Sequence, residues 1–198
     1  MSIWQFGNLF SSTPAEHRVT LGEGNTPLVR SRSLGPATGL NHLYFKLESC
    51  NPTGSYKDRF GAAAISDMLA TGKTCCEATS SGNTGAALAA YCAAAGIECR
   101  IAVVETAPSG KLRQMMSYGA NIYRIRSFGV DPEISARGLE YIRSRGEKPG
   151  AQLQISAFKF SAVGMMGVQT IAYELAQQAQ AGEIDEGRID HVFCQAGG

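Results

Sequence analysis

The chain has 198 residues, with 18 Lys and Arg against 17 Asp and Glu, a formal net charge of +1. That balance gives no electrostatic basis for binding nucleic acid or an anionic membrane surface, and 44% apolar against 18% charged residues excludes an intrinsically disordered chain. No stretch approaches the ~18 uninterrupted apolar residues of a membrane-spanning helix, and the opening MSIWQFGNLFSSTPAEHR lacks the basic-then-apolar order of a signal peptide.

Along the chain, Leu21-Gly22-Glu23-Gly24-Asn25-Thr26-Pro27-Leu28 reads as a glycine- and proline-bearing turn before Val29. Leu43–Leu47 predicts a strand, Asp58–Leu69 a helix closed by Thr71-Gly72, and Cys75–Thr79 a strand of mixed propensity. Ala86–Ala95 predicts a helix with Gly96 at a C-cap position. Glu98–Glu105 is the clearest strand, followed by a helix over Gly110–Tyr118 that Gly119 ends. A strand over Asn121–Arg126, a polar-flanked helix over Pro132–Arg145, a strand over Leu153–Ala157, a helix over Val168–Ala179 and a last strand over His191–Cys194 complete the pattern. Strands alternating with helices, without internal repeats, define the α/β class, a parallel sheet covered by helices. The Ala86–Ala95 segment is apolar nearly all round, so it must be buried on several faces.

The six cysteines, Cys50, Cys75, Cys76, Cys92, Cys99 and Cys194, show no CxxC spacing and are accompanied by three His. No metal site is expected from them. Reduced thiols buried as small hydrophobes, in a cytoplasmic protein, are the simplest reading. The ending HVFCQAGG runs a buried-strand pattern into two glycines and stops. A glycine loop after a strand needs a following element to pack on, so the chain is expected to be the front part of a longer protein.

Four segments carry candidate chemistry. Ser80-Ser81-Gly82-Asn83-Thr84-Gly85 follows a strand and opens a helix. Its glycines permit close approach of a ligand, and N–H groups at a helix start attract anions. An ordinary N-cap on Asn83 or Thr84 would explain one of these polar residues, but not four beside two glycines. Asn51-Pro52-Thr53-Gly54-Ser55-Tyr56-Lys57-Asp58-Arg59 places a lysine in the first turn of a helix. A cation there is disfavoured by the helix dipole, which helps an amine act as nucleophile or base. Taken by position alone, a solvated lysine beside Asp58 and Arg59 is the simpler reading. The Leu21–Leu28 turn says only loop. Gly197-Gly198 follow Val192-Phe193-Cys194, where α/β proteins place phosphates.

In combination, GEGNTPL, NPTGSYKDR and SSGNTG, in this order and spacing, resemble the fold-type II pyridoxal-phosphate enzymes, the group of tryptophan synthase β, and among them the threonine synthases most. The resemblance covers nearly the whole chain. It implies that Lys57 forms the Schiff base with pyridoxal 5'-phosphate, that Asn83 contacts the cofactor's 3-oxygen, and that Gly197 and Gly198 begin the phosphate loop. It assigns the substrate carboxylate to Ser80, Ser81, Gly82 and Thr84. It implies residues 1–59 as the first part of a large domain, residues 60–150 as a small mobile domain, and residues 151–198 as the return to a large domain whose C-terminal part is missing. A chain ending there is expected to bind cofactor weakly and turn over little or nothing. The implied activity is conversion of O-phosphohomoserine and water to threonine and phosphate, by a homodimer acting on a small amino-acid substrate. The sequence departs from the threonine synthases after Leu153–Ala157, where no arginine stands. Lys159, Lys111 and Arg113 are the remaining cations for a substrate phosphate, with a solvated helix face the plain alternative for the last two. β-Replacement or β-elimination on a serine derivative is therefore the competing activity, and a non-catalytic homologue that kept the fold is a third reading.

Overall fold

The computed structural model describes residues 2–194. In chain order it holds helix α1 (Gly7–Phe10), strand β1 (Leu28–Arg30), helix α2 (Leu34–Ala37), β2 (Tyr44–Lys46), α3 (Lys57–Ala70), β3 (Cys75–Thr79), α4 (Asn83–Ala95), β4 (Glu98–Val104), α5 (Ser109–Ser117), β5 (Asn121–Ile125), α6 (Pro132–Gly146), β6 (Ala151–Gln154), α7 (Ala162–Val168) and α8 (Thr170–Gln180). Strands β1 and β2 pair antiparallel in a two-stranded ladder. The other four form a parallel sheet in the order β5-β4-β3-β6. The α/β class is thus observed, with helices on both sheet faces.

The chain direction across this sheet explains the layers. From β3 it steps outward to β4 and β5, and then returns over the sheet to place β6 on the far side of β3. Right-handed crossovers put α4 and α5 on one face and bring α6 back across the other. Accordingly α6 packs against β3 and β6, while α4 packs against β3, β4, α3 and α5. Helix α4 is buried from Thr84 to Cys92, as a helix apolar on all sides must be. The core joins Phe60, Ile65, Met68, Leu88, Tyr91, Ile101, Val103 and Met115, all fully buried.

Three expectations need correction. The last strand, over His191–Cys194, does not form. No described strand pairs with it, and Val192 and Phe193 are exposed, so the apolar pattern has no sheet to join. The strand near residue 153 ends at Gln154, because Ile155–Ala157 turns, with Ala157 N donating to Ile155 O at 2.7 Å. The helix expected over Val168–Ala179 is α8, and a further helix, α7, stands before it where none was expected. Helix α7 was hidden by Gly164 and Gly167, poor helix formers that are needed for close packing on α3. A Cβ on Gly164 would meet Phe60 at 2.5 Å, and one on Gly167 would meet the Arg59 carbonyl oxygen at 2.5 Å. Strand β6 lies past residue 150 and still belongs to the four-stranded sheet through its pairing with β3.

Candidate active site

Neighbouring strands β3 and β6 lead their chain in different directions, and in open α/β sheets the crevice beyond such a pair of carboxyl ends is where ligands bind. The Ser80–Asn83 loop leaves β3 and the Ile155–Ser161 loop leaves β6. A hydrogen bond of 2.8 Å between Thr84 Oγ1 and Ser156 Oγ joins them.

At this crevice α4 begins without a cap. Its N-cap is Gly82, which has no side chain, and no side-chain hydrogen bond caps the helix. The capping alternative for Asn83 or Thr84 is therefore overturned: Asn83 is exposed, and Thr84 spends its hydroxyl on Ser156. Ser80 Oγ accepts from Gly82 N at 3.2 Å, shaping the turn. Ser81 Oγ accepts from Val104 N at 3.0 Å, so this hydroxyl ties the loop to the end of β4. Gly85 admits the loop close to the helix, since a Cβ there would meet Ser80 O at 2.8 Å and Met115 Sδ at 2.7 Å.

Lys57 opens α3 and is half-buried. Among the described residues its Nζ has no ion pair or hydrogen bond; it lies 4.4 Å from the centroid of the Tyr56 ring. Its neighbours are not solvated. Asp58 is buried and caps the preceding turn, its carboxylate accepting from Thr53 N at 3.0 Å and from Thr53 Oγ1 at 2.9 Å. Burial pushes the Asp58 carboxyl up, and the Thr53 hydrogen bonds counter that. Arg59 is fully buried and holds two carboxylates, Glu48 through Nε and Nη2 at 2.8 Å each, and Glu174 through Nη1 at 2.7 Å and Nη2 at 2.8 Å. Lys46 Nζ adds a 2.9 Å contact to Glu174. Burial raises the Glu174 carboxyl, but Arg59 and Lys46 outweigh it and hold the group down at about 2.

The Gly22–Leu28 turn is tied into the same knot. Asn25 N donates to Glu174 Oε1 at 2.7 Å, Thr26 Oγ1 to Glu48 Oε1 at 2.7 Å, and Gly24 N to Asn51 Oδ1 at 2.9 Å. Gly24 sits at φ +88°, and a Cβ there would strike Glu174 Oε1 at 2.8 Å. Glu23 is buried and accepts from Tyr91 Oη at 2.7 Å, with burial pushing its carboxyl up. Much of the motif chemistry thus builds the frame around Lys57.

Helix α5 brings the lysine segment and the serine loop together. Gln114 Nε2 donates to Thr53 O at 3.2 Å, while its neighbour Met115 lies against Gly85, which Ser80 O also approaches. Lys111 Nζ donates to Gln114 Oε1 at 3.0 Å. Lys159 is exposed beside the Phe160 ring, 5.7 Å from its centroid. Gly197 and Gly198 lie outside the described residues.

Gln154, at the carboxyl end of β6, escaped the sequence reading. Its Oε1 is buried with no hydrogen-bond partner among the described residues. Gly146 of α6 approaches Leu153 Cβ, so alternation turns Gln154 to the opposite face, toward α3 and α4. An unsatisfied amide buried beside the crevice points to a ligand. The detectable signal was a glutamine within the strand expected over Leu153–Ala157, at a position that faces inward in β6. Gln114 and Ser156 gave no signal, because their roles depend on contacts across the fold.

This arrangement is an α/β fold that sets an amine, unpaired among the described residues, and an uncapped helix start at a strand switch point. The chain belongs to the pyridoxal-phosphate dependent enzyme family, whose model matches residues 19–198. It is 44% identical over 147 residues to threonine synthase of Mycobacterium tuberculosis, covering 67% of this chain and 41% of that protein. It is 31% identical over 179 residues to threonine synthase of Methanocaldococcus jannaschii, covering 90% of this chain and 42% of that protein. Among solved structures, a pyridoxal 5'-phosphate-dependent aspartate racemase superposes with a TM-score of 0.60 at 31% identity, over 77% of this chain and 45% of that one. The chain therefore spans about two-fifths of the length of these curated relatives. Its cofactor is pyridoxal phosphate. The residues present fit that group: among the described residues an amine without an ionic partner and an uncapped helix start are linked through Gln114 and Met115 of α5.

Proposed function

We propose that this chain carries the lysine and the carboxylate-binding loop of a threonine synthase-like lyase, which converts O-phosphohomoserine and water to threonine and phosphate. The observation that supports it best is Lys57, an amine without an ionic partner within a frame of saturated ion pairs. Pyridoxal phosphate supplies, when bound, an electron sink for charge developing at the substrate carbons. Lys57 Nζ holds the cofactor and, when released, takes and returns protons at the substrate Cα and the carbons beyond it. Asn83 faces the ring oxygen. The α4 N–H groups, with Ser80, Gly82 and Thr84, receive the substrate carboxylate, because the helix dipole favours an anion; the Gln154 carbonyl, an acceptor, is left for a donor on the ligand. Ser81 positions this loop through Val104. A cytoplasmic homodimer belongs to the same reading.

A second substrate class rests on one observation. Residues 155–166 hold Lys159 and no arginine, and Lys111 is engaged with Gln114. A lysine gives a point charge where an arginine gives a bidentate fork for phosphate. That favours a serine derivative undergoing β-replacement or β-elimination, and a solved O-ureido-L-serine synthase is 28% identical with a TM-score of 0.53. The test is to mix the chain with pyridoxal phosphate, reduce with borohydride, digest, and locate the modified lysine by mass spectrometry. Selective modification of Lys57 is expected; modification spread over surface lysines, or none, overturns the assignment. Phosphate release from O-phosphohomoserine and not from O-phosphoserine separates the two substrate classes.

A further inference from the structure

A second cluster of reactive side chains lies in the core, with no part in the chemistry above. Cys76 on β3, Cys92 on α4 and Cys99 on β4 bring their three Sγ atoms within 4.8 Å of one another. All three are free thiols, and none is more than 4% exposed. The backbone dictates the convergence. Cys76 and Cys99 are register partners on adjacent parallel strands, so their side chains leave the sheet on the same face. Helix α4 covers that face and presents Cys92 to both. A single buried thiol is an ordinary small hydrophobe. Three that converge from three separate elements are a preformed set of soft donors.

The chemistry of the set selects its ligand. Hard cations prefer oxygen and are poorly served by thiolates. Structural zinc takes four ligands, and among the described residues no fourth Cys, His, Asp or Glu joins the group. Net charge decides among the remaining soft ions, because burying an uncompensated charge in an apolar core is costly. Three thiolates around a monovalent ion leave two negative charges, and around a divalent ion one; around a trivalent ion they leave none. We propose that Cys76, Cys92 and Cys99 form a three-coordinate site for a trivalent thiophilic ion of the arsenic(III) type. With arsenous acid, three As–O and three S–H bonds break and three As–S bonds form. Three water molecules leave, and no electrons are transferred. The entering species is uncharged, so no charged intermediate need cross the core.

The test uses the full 198-residue chain, reduced with a phosphine, desalted and mixed with one equivalent of arsenite. Native mass spectrometry is expected to show one arsenic gained with three protons lost. X-ray absorption at the arsenic edge is expected to show three sulfur neighbours in the unmutated protein, a readout that needs no variant to fold. Replacing the exposed Cys50 and Cys194 by serine should leave uptake unchanged. Cys92→Ala, which installs the best helix former, should weaken uptake by about a hundredfold or more. Arsenic gain with loss of three protons persisting at full strength in Cys92→Ala overturns the proposal. So does preferential retention of zinc(II) over arsenite at equal concentrations, or no uptake by the folded chain.

Discussion

Lys57 and Arg59 stand two positions apart at the start of one helix, and they live in opposite worlds. Around Arg59 every buried charge is answered: its guanidinium grips Glu48 and Glu174, Lys46 adds to Glu174, and the backbone of Asn25 closes the ring. Around Lys57 and the crevice polar groups stand unanswered: an amine over a ring, a helix without a cap, an amide carbonyl without a donor. The difference teaches how one short motif divides its labour. Saturated residues fix where the backbone goes, and unsatisfied ones are left for something that is not protein.

The contrast can be broken most completely at Lys57. Lys57→Ala should abolish borohydride-trapped cofactor while leaving the urea unfolding free energy within about 0.5 kcal/mol, because the side chain has no partner to lose. The opposite result is expected two residues on. Arg59→Met takes the guanidinium away from the buried Glu174 and the half-buried Glu48 and should cost about 3–5 kcal/mol in the same unfolding experiment. Acid sharpens the comparison further. Glu174 falls from 4.5 in the unfolded chain to about 2 when folded, so its contribution is complete above 4.5 and lost as pH drops through that window toward 2. This is worth about 3 kcal/mol. Glu23 and Asp58 act in the opposite sense, because burial raises both and their penalty is relieved on acidification. Glu174→Gln should therefore flatten the pH dependence of stability below 4.5, read from urea midpoints across the range. The smallest effect is expected at Gln154. Gln154→Met removes an unsatisfied buried carbonyl and should leave stability unchanged or raise it by about 1 kcal/mol, while weakening binding of the amino-acid substrate, whose N–H donors it would accept, measured by calorimetry.

What could be read from the sequence follows from the range of the forces involved. Strand β4 was legible to within one residue and helix α4 at its C-terminal end, with its start three residues earlier than expected, because a continuous apolar run and a glycine C-cap are local signals. The lysine segment and the serine loop were legible as motifs of the family, through a resemblance that position alone did not support. The burial of Arg59 gave no local signal, because its partner Glu174 lies 115 residues away and a buried ion pair cannot be seen from one end. Helix α7 was missed because its glycines look like loop residues until α3 is laid against them. Gln154 was missed for a similar reason, since an orphaned carbonyl is defined by what surrounds it.

The glycine seam between α3 and α7 carries one more consequence. Where two helices meet through side chains, small errors are absorbed by rotamers. At Gly167 the contact is with the backbone of Arg59 itself, so no such cushion exists. Helix α3 is therefore located as a rigid part is located in a slot, and the amine at its first residue inherits the tolerance of that slot. A methyl group added at Gly167, far along the chain from any reacting atom, would be felt as a change of aim.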